Sequence, residues 1–457
     1  MSVDMKPAIA ALGEFVARAE PPAAARRRAA AAVLDTIGVT LAGAAEPAAR
    51  IVQAVVSEEG PEGAGARHAC RILGTTARAS ASNAALANGT AAHALDYDDM
   101  CFVSIAHPSA PLVAAAIAAG EAAGASGTAL LDAYIVGFEL EGRLGVVMNP
   151  RHYERGWHCT STLGTIGAAA AACRVLALEA GPASHAIAIA ASEASGLKEN
   201  FGSMVKPLHA GLAARNGVLA ALLAKRGMTA SAHAIGGRQG FLAAMDSQWP
   251  SLDGAIADLG ARWEILETGI TVKLYPSCAA THPTLDALLD LRLAGGFAAP
   301  DVERIEVDVD SVTPGVLIYD RPASGLEAKF SMPFCAAAAV VDGRVGIDTF
   351  EEARLRDPRI VAMMSRVTMR VDAGLDALAP PLTQARIRVH LADGRVLPAS
   401  ANGARGYPER PASDEQLATK FLACAERSIP RDHAERAMAM LREIERASDV
   451  RGVTELL

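Results

Sequence analysis

The chain is short of several features that would have named its chemistry at once. Aromatic residues make up only 4% of its 457 residues. Basic residues form no block, and the formal net charge is −8. The Lys/Arg stripe that tracks a phosphate backbone is therefore missing, and no nucleic acid is expected as a partner. Cysteines stand at 70, 101, 159, 173, 278, 335 and 424, with no C-x-x-C pair. An odd number scattered through a long chain reads as reduced thiols, not as a disulfide framework or zinc ribbon. There is no G-x-G-x-x-G after a strand, no P-loop, no H-E-x-x-H and no G-x-S-x-G. Nicotinamide, nucleotide, zinc-protease and α/β-hydrolase chemistry are left without their signatures. The opening MSVDMKPAIAALGEF has an early Asp4 and no long apolar run, unlike a secretory signal. Ala-rich stretches are interrupted by charged residues and Gly, so no membrane span is expected and a cytoplasmic location is.

Lysine is scarce too. Of 43 basic residues only seven are Lys, at 6, 198, 206, 225, 273, 329 and 420. Arg-rich codon usage would produce this without selection on function. Against that background Lys206 in FGSMVKPLHAG and Lys273 in GITVKLYPSCAATH stand out, because both lie in apolar runs. A buried Lys serves as a base or anion clamp, while a snorkelling Lys at a helix end is the plainer reading.

What is abundant is apolar material, 51% of the chain, much of it Ala. Ala is the best helix former, and the length suggests more than one domain. Helices are expected from about residue 22 to 268, near 22–43, 79–94, 109–123, 127–145, 160–179, 182–194, 209–226 and 229–246. After about 270 the pattern changes. VERIEVDVD (302–310) and RVTMRVD (366–372) alternate like half-buried strands, and ARIRVHLADGRVLPA (385–399) reads as a hairpin around Asp393-Gly394. Helices are expected between them at 282–295 and 326–343. Beyond 403 the helical pattern returns, with Ser413 and Gln416 spaced as a capping box, and a last helix near 432–447. The expected fold is mainly α: a large all-helical domain (1–268, completed by 403–457) with an inserted smaller α+β lid domain (269–402).

The densest polar segment is NGTAAHALDYDDMCFVSIAHPSA (88–110), which holds His93, Asp96, Asp98, Asp99 and His107 between apolar helices. Asp–His pairs suit general acid–base work, because a carboxylate orients the imidazole. The plainer reading makes them helix caps and satisfied core groups. D-x-D-D also suggests a magnesium–diphosphate site, but aromatics are scarce and no second acidic cluster follows. RGWHCTSTLGTIGAA (155–169) sets His158 before a Ser/Thr-rich helix start, a place that favours anions, although Thr160 or Ser161 could simply cap the helix. Cys278 and His282, with Tyr275, could form a thiol nucleophile pair, without other features of such enzymes.

Taken together and in order, ALANGTAAHALDYDDM, AHPSAPLVAAAIAAGE, GWHCTSTLGTIGAAAAA, FGSMVKPLHAGLAARNGVLAALLA, KLYPSCAATHPTLDA, EAKFSMPFCAAAAVVDG and GYPERPASDEQLATKF resemble the MmgE/PrpD family over nearly the whole chain. That family includes 2-methylcitrate dehydratases, cis-aconitate decarboxylases and iminodisuccinate epimerases. The resemblance implies a helical domain plus a lid, a homodimer, an active site between the domains, a small di- or tricarboxylate substrate, and no metal or organic cofactor. It carries over Asp96, His107, His158, Lys206 and Lys273 as catalytic candidates, with Asp99, Met100, Cys278, His282 and Tyr319 lining the substrate. Met100 stands where the decarboxylases resemble Thr, and Cys278 where they resemble His. These departures set the chain apart from the decarboxylases, and it also lacks the Arg/Cys-rich lid-entry segment associated with the methylcitrate dehydratases. The expected reaction is that of a hydro-lyase of the methylcitrate-dehydratase kind, with an epimerase or isomerase next and a decarboxylase after it. A helical binding protein derived from the fold is the non-enzymatic alternative. Convergence of the candidate residues on one cleft separates the two.

Overall fold

A computed structural model describes residues 8–59, 69–295, 297–378 and 383–457; Lys6 lies outside them. The chain is mainly α, with a small mixed sheet. The helices Ala23–Gly43, Ala81–His93, Ser109–Ala123, Gly127–Met148, Cys159–Val175, Ala180–Glu193 and Val205–Lys225 pack on one another. Several are buried almost all round, which explains why no clean amphipathic stripe marks them in the sequence. Among the described residues no single helix is long and apolar enough to cross a membrane.

Small residues set the spacing. The helices Ala81–His93 and Val205–Lys225 form the most extensive helix pair, and they meet at Gly89 and Gly211. A Cβ on Gly211 would fall 2.1 Å from Thr90 Oγ1 and 2.4 Å from the Leu86 carbonyl oxygen. A backbone oxygen cannot step aside, so the helices would have to separate. Gly211→Ala is expected to destabilise the fold by about 1–3 kcal/mol, the usual cost of overpacking, read as a lower midpoint in denaturant. An unchanged midpoint would show that the pair is looser than described.

The expected helix at 229–246 is not there. Residues 228–240 turn instead, and only Phe241–Ala244 is helical. Gly227 is in the left-handed region (φ 92°), Ser231 Oγ accepts from the His233 amide (3.1 Å), and Gly236, Gly237 and Gly240 break the run. The expected helix at 326–343 is two. A short turn, Gly325–Ala328, ends before Ser331, whose Oγ accepts from the Phe334 amide and starts Met332–Asp342 with Pro333 in its first turn. Helices Ala8–Arg18 and Pro47–Glu59 and a two-stranded ribbon, Cys70–Arg71 with Arg78–Ala79, were not anticipated.

Strands Val302–Val309, Val367–Val371, Gln384–Leu391 and Val396–Asn402 form one sheet. Val302–Val309 runs parallel to Val367–Val371 and antiparallel to Gln384–Leu391, which pairs with Val396–Asn402 as the expected hairpin, with Gly394 at φ 87°. Helix Asp414–Ala425 begins with the Ser413/Gln416 capping box and packs against Ala23–Gly43.

Candidate active site

The polar segment forms a tight turn between two helices. The helix Ala81–His93 ends at His93, and the chain then reverses through Asp96 at φ 51°. Non-Gly residues rarely adopt this left-handed conformation, and tertiary contacts hold it. The Asp96 carboxylate takes Lys206 on Oδ1 and Lys273 Nζ on Oδ2 at 3.0 Å, and its own carbonyl accepts from Lys273 at 2.9 Å. Lys206 comes from the first turn of Val205–Lys225, and Lys273 from the segment that leads toward the sheet. Burial alone pushes the Asp96 carboxyl up; Lys206 and Lys273 outweigh it and hold it well below the usual range.

Four imidazoles adjoin this ion cluster. His107 Nε2 lies 3.8 Å from Asp96 Oδ1, and its Nδ1 lies 3.4 Å from Asp98 Oδ2. His93 Nδ1 bonds Asp98 Oδ2 at 2.7 Å, and the His93 and His107 ring centres are 4.5 Å apart. His158 stacks on His93 at 5.7 Å and shares a proton with His209 across 3.0 Å between their Nδ1 atoms. That last contact requires one Nδ1 to be unprotonated, so the pair cannot both be cationic. Burial lowers all four, to about 3 for His93 and about 4 for His209. Lys273 lowers His107 further against the pull of Asp98, and His93 and Lys206 lower His158 further. The histidines are therefore neutral near pH 7, in the form that accepts a proton.

The Ser/Thr-rich helix start serves the site instead of capping its own helix. Cys159–Val175 has no side-chain cap. Thr160 Oγ1 accepts from the His107 amide at 3.0 Å, and Ser161 Oγ donates to the His209 carbonyl at 3.2 Å. Those bonds fix two imidazoles from two other segments against the His158 helix. An aromatic wall closes one side. Phe201 meets His158 edge-on at 4.9 Å, Lys206 Nζ sits 5.4 Å from the Phe201 ring centre and 5.0 Å from that of Phe330, and the Tyr319 hydroxyl donates to the Phe201 carbonyl at 3.1 Å. The group is nearly closed: the His107 side chain is 12% exposed, Lys206 6% and Asp96 5%.

Asp96, His107, His158, Lys206 and Lys273 thus converge, from four segments of the chain. Cys278 lies close enough to feel Asp96, Lys273 and Lys206, but burial pushes its thiol up to about 11, which disables it as a thiolate nucleophile. His282 packs edge-on to Tyr275 (5.2 Å), with Nε2 3.2 Å from the Ser277 carbonyl, and burial plus Lys273 lower it to about 3. Two more of the residues expected to line the substrate, Asp99 and Met100, have partners within the protein. Asp99 is fully buried, accepts from the Ser109 amide (3.2 Å) and hydroxyl, and is pushed by burial up to about 7. Met100 is a buried backbone bridge to Thr271. His209 was missed in the sequence, although it sits three positions after Lys206 and so on the same helix face.

His93, Asp96, Asp98 and His107 offer ligand atoms within 4.8 Å of one another, a spacing that suits a metal ion. The charge balance does not. Asp96 already bonds two ammonium groups, and a divalent ion there would be pressed against both.

Residues 9–251 match the MmgE/PrpD N-terminal domain and residues 275–446 the MmgE/PrpD C-terminal domain. Cis-aconitate decarboxylase of Homo sapiens is 30% identical over 390 residues, covering 82% of this chain and 79% of the relative. The enzyme of the same name from Mus musculus is 29% identical over 391 residues, covering 82% and 78%. That of Aspergillus terreus is 26% identical over 449 residues, covering 93% and 90%. With both domains matched across most of its length, the chain belongs to the MmgE/PrpD family.

Proposed function

We propose that this protein is a lyase that transfers a proton at a carbon next to a carboxylate of a small di- or tricarboxylate, using its own side chains and no cofactor. The observation that carries this reading is the union of two buried ammonium groups on Asp96 with a bank of neutral imidazoles. Carbanion character next to a carboxylate is stabilised by fixed positive charge, and Lys206 and Lys273 supply it. His107 and His158 supply the proton transfer. Neutral in the free protein, either imidazole gains proton affinity once an anionic substrate lies beside it.

Loss of carbon dioxide is the first reaction to test, because the relatives above are named for it. The bond to the departing carboxylate breaks, its electron pair spreads into the remaining unsaturated carboxylate, and an imidazole that has taken a proton from solvent as the anionic substrate binds delivers it to carbon. Elimination of water is the second reading. Met100 and Cys278, in place of the Thr and His of the decarboxylase pattern, favour a different substrate fit. Epimerisation would use the same groups without a leaving group. In this reading segment 269–402 acts as a lid, the protein works in the cytoplasm, and two copies form a homodimer.

Chelator-treated protein, mixed separately with cis-aconitate, citrate, 2-methylcitrate and iminodisuccinate and followed by proton NMR, tests the proposal. Carbon dioxide loss from cis-aconitate supports the first reading. Water loss from citrate or 2-methylcitrate supports the second. Four unchanged spectra overturn both.

The pH profile gives an independent check. Burial depresses His107 and His158 below the ordinary value of 6.5, so their basic forms persist to lower pH. For elimination, in which a neutral imidazole takes the proton from carbon, the acid limb of kcat/KM, which reports the free enzyme, is expected below pH 6.5. For loss of carbon dioxide, which needs the imidazolium, kcat/KM is expected to fall as pH rises. An acid limb above 7 would mean that these imidazoles are cationic at rest.

A further inference from the structure

Four of the seven lysines meet at residues 95–97, and two of these have no part in the proton-transfer scheme. Three consecutive carbonyls there each accept from a different buried ammonium. Lys329 Nζ donates to the Leu95 carbonyl at 2.6 Å, Lys273 to that of Asp96 at 2.9 Å and Lys420 to that of Tyr97 at 2.9 Å. Lys420 comes from helix Asp414–Ala425, pairs with Asp35 at 2.8 Å and sits 4.1 Å from the Tyr97 ring centre. Lys329 follows the short helix Gly325–Ala328. Its second donor reaches the Pro276 carbonyl at 2.9 Å, and its ammonium lies 4.6 Å from the Phe350 ring centre.

Lys329 makes no ion pair among the described residues, yet it is only 4% exposed. An uncompensated buried ammonium is costly, and here its contacts are two carbonyls and a ring. Burial lowers it to about 8. One of those carbonyls precedes Asp96, and the other follows Lys273 by three residues. Lys329 thus ties together the two segments whose side chains form the Asp96–Lys273 pair. The middle residue of the run, Asp96, sits at φ 51°, a conformation that needs outside restraint.

We propose that Lys329 and Lys420 are positioning residues, which hold the carbonyls of Leu95 and Tyr97 so that the Asp96 carboxylate stays fixed between Lys206 and Lys273. Neither touches the reacting group. They act through the backbone on either side of Asp96, and of the two it is Lys329 that also bonds the Lys273 segment. The kinetic consequence rests on the lyase reading; the structural one does not.

The test uses Lys329→Met and Lys420→Met in the full-length protein labelled with 15N-histidine. Met keeps most of the volume and removes the donor. With helical circular dichroism like the parent's, the His107 ring resonances are expected to shift, because His107 faces Asp96, while those of His185, which lies on helix Ala180–Glu193 and accepts from the Ala230 amide at 3.1 Å, stay put. With cis-aconitate as substrate, kcat is expected to fall about tenfold to a hundredfold, the cost of a small misplacement, with KM within about threefold. Lys329→Gln, which keeps a donor, should recover part of the loss. Unmoved His107 resonances, or parental kcat, in a folded Met variant overturn the proposal. So does a loss spread equally over kcat, KM and thermal stability that Gln does not relieve. Should one Met variant not fold, the other decides: unmoved His107 resonances and parental kcat there count against the proposal. A parent protein inert toward cis-aconitate would count against the decarboxylase reading, while the His107 resonances still decide this one.

Discussion

Asp96→Asn is expected to cut kcat by about a thousandfold, comparable to losing a main electrostatic element of a site, and to destabilise the fold by about 3–5 kcal/mol, as for breaking a buried ion pair. Asn is nearly isosteric with Asp and tolerates the left-handed conformation at φ 51°. The substitution therefore removes the charge and little else. Lys206 and Lys273 then face one another across a neutral amide, both under 10% exposed and both without their carboxylate. Two outcomes follow. The ammonium groups spread apart or one loses its proton, so the anion clamp is lost. His107, 3.8 Å from Asp96 Oδ1, also loses the carboxylate that faces its Nε2. Steady-state rates with thermal denaturation on the same sample check both. A variant with kcat within about tenfold of the parent would remove Asp96 from the centre of the account.

His107→Ala is expected to lower kcat by about a hundredfold to ten-thousandfold, the range for losing a general acid or base. His107 is the imidazole that meets both Asp96 and Asp98, and it is the most exposed of the polar group. His158 is better buried and shares its proton with His209. Its replacement should therefore cost both rate and stability, whereas His107→Ala should cost mostly rate. Measuring kcat, KM and the midpoint in denaturant for the two variants separates the roles. Equal small effects on rate in both would favour a binding protein over an enzyme.

Much of the site was legible in the sequence because its polar residues interrupt unusually apolar surroundings. Asp96, His107 and His158 sit in short polar stretches flanked by Ala-rich helices, and Lys206 and Lys273 are conspicuous among so many Arg. The partners behind them were harder to see. Asp98 was read as part of the same polar run, but its bond to His93 and approach to His107 depend on how the turn folds. Thr160 looked like a helix cap and instead supports the His107 amide, a contact 53 residues away in sequence. Lys329 and Lys420 bond backbone carbonyls, which leave no trace in a pattern of side chains.

The fold shows the same division. Ser413 with Gln416, the strand Val302–Val309 and the hairpin were local signals, and local chemistry decides them. The stretch 229–246 was misread because Ala there suggested helix, while the Ser231 turn and the glycines at 236, 237 and 240 won. Asp99 is a substrate-lining candidate by resemblance alone; the bonds by which its carboxylate holds the start of helix Ser109–Ala123 through Ser109 depend on how the turn folds.

The most direct test of the central claim is turnover of cis-aconitate by chelator-treated protein in deuterated water, followed by NMR of the product, for the parent and for His107→Ala. The account predicts that the carbon protonated in the reaction carries one solvent-derived deuterium in the parent product, and that the variant forms this product at least about a hundredfold more slowly. A product without solvent deuterium, or equal rates in the two proteins, would contradict proton transfer by this imidazole group.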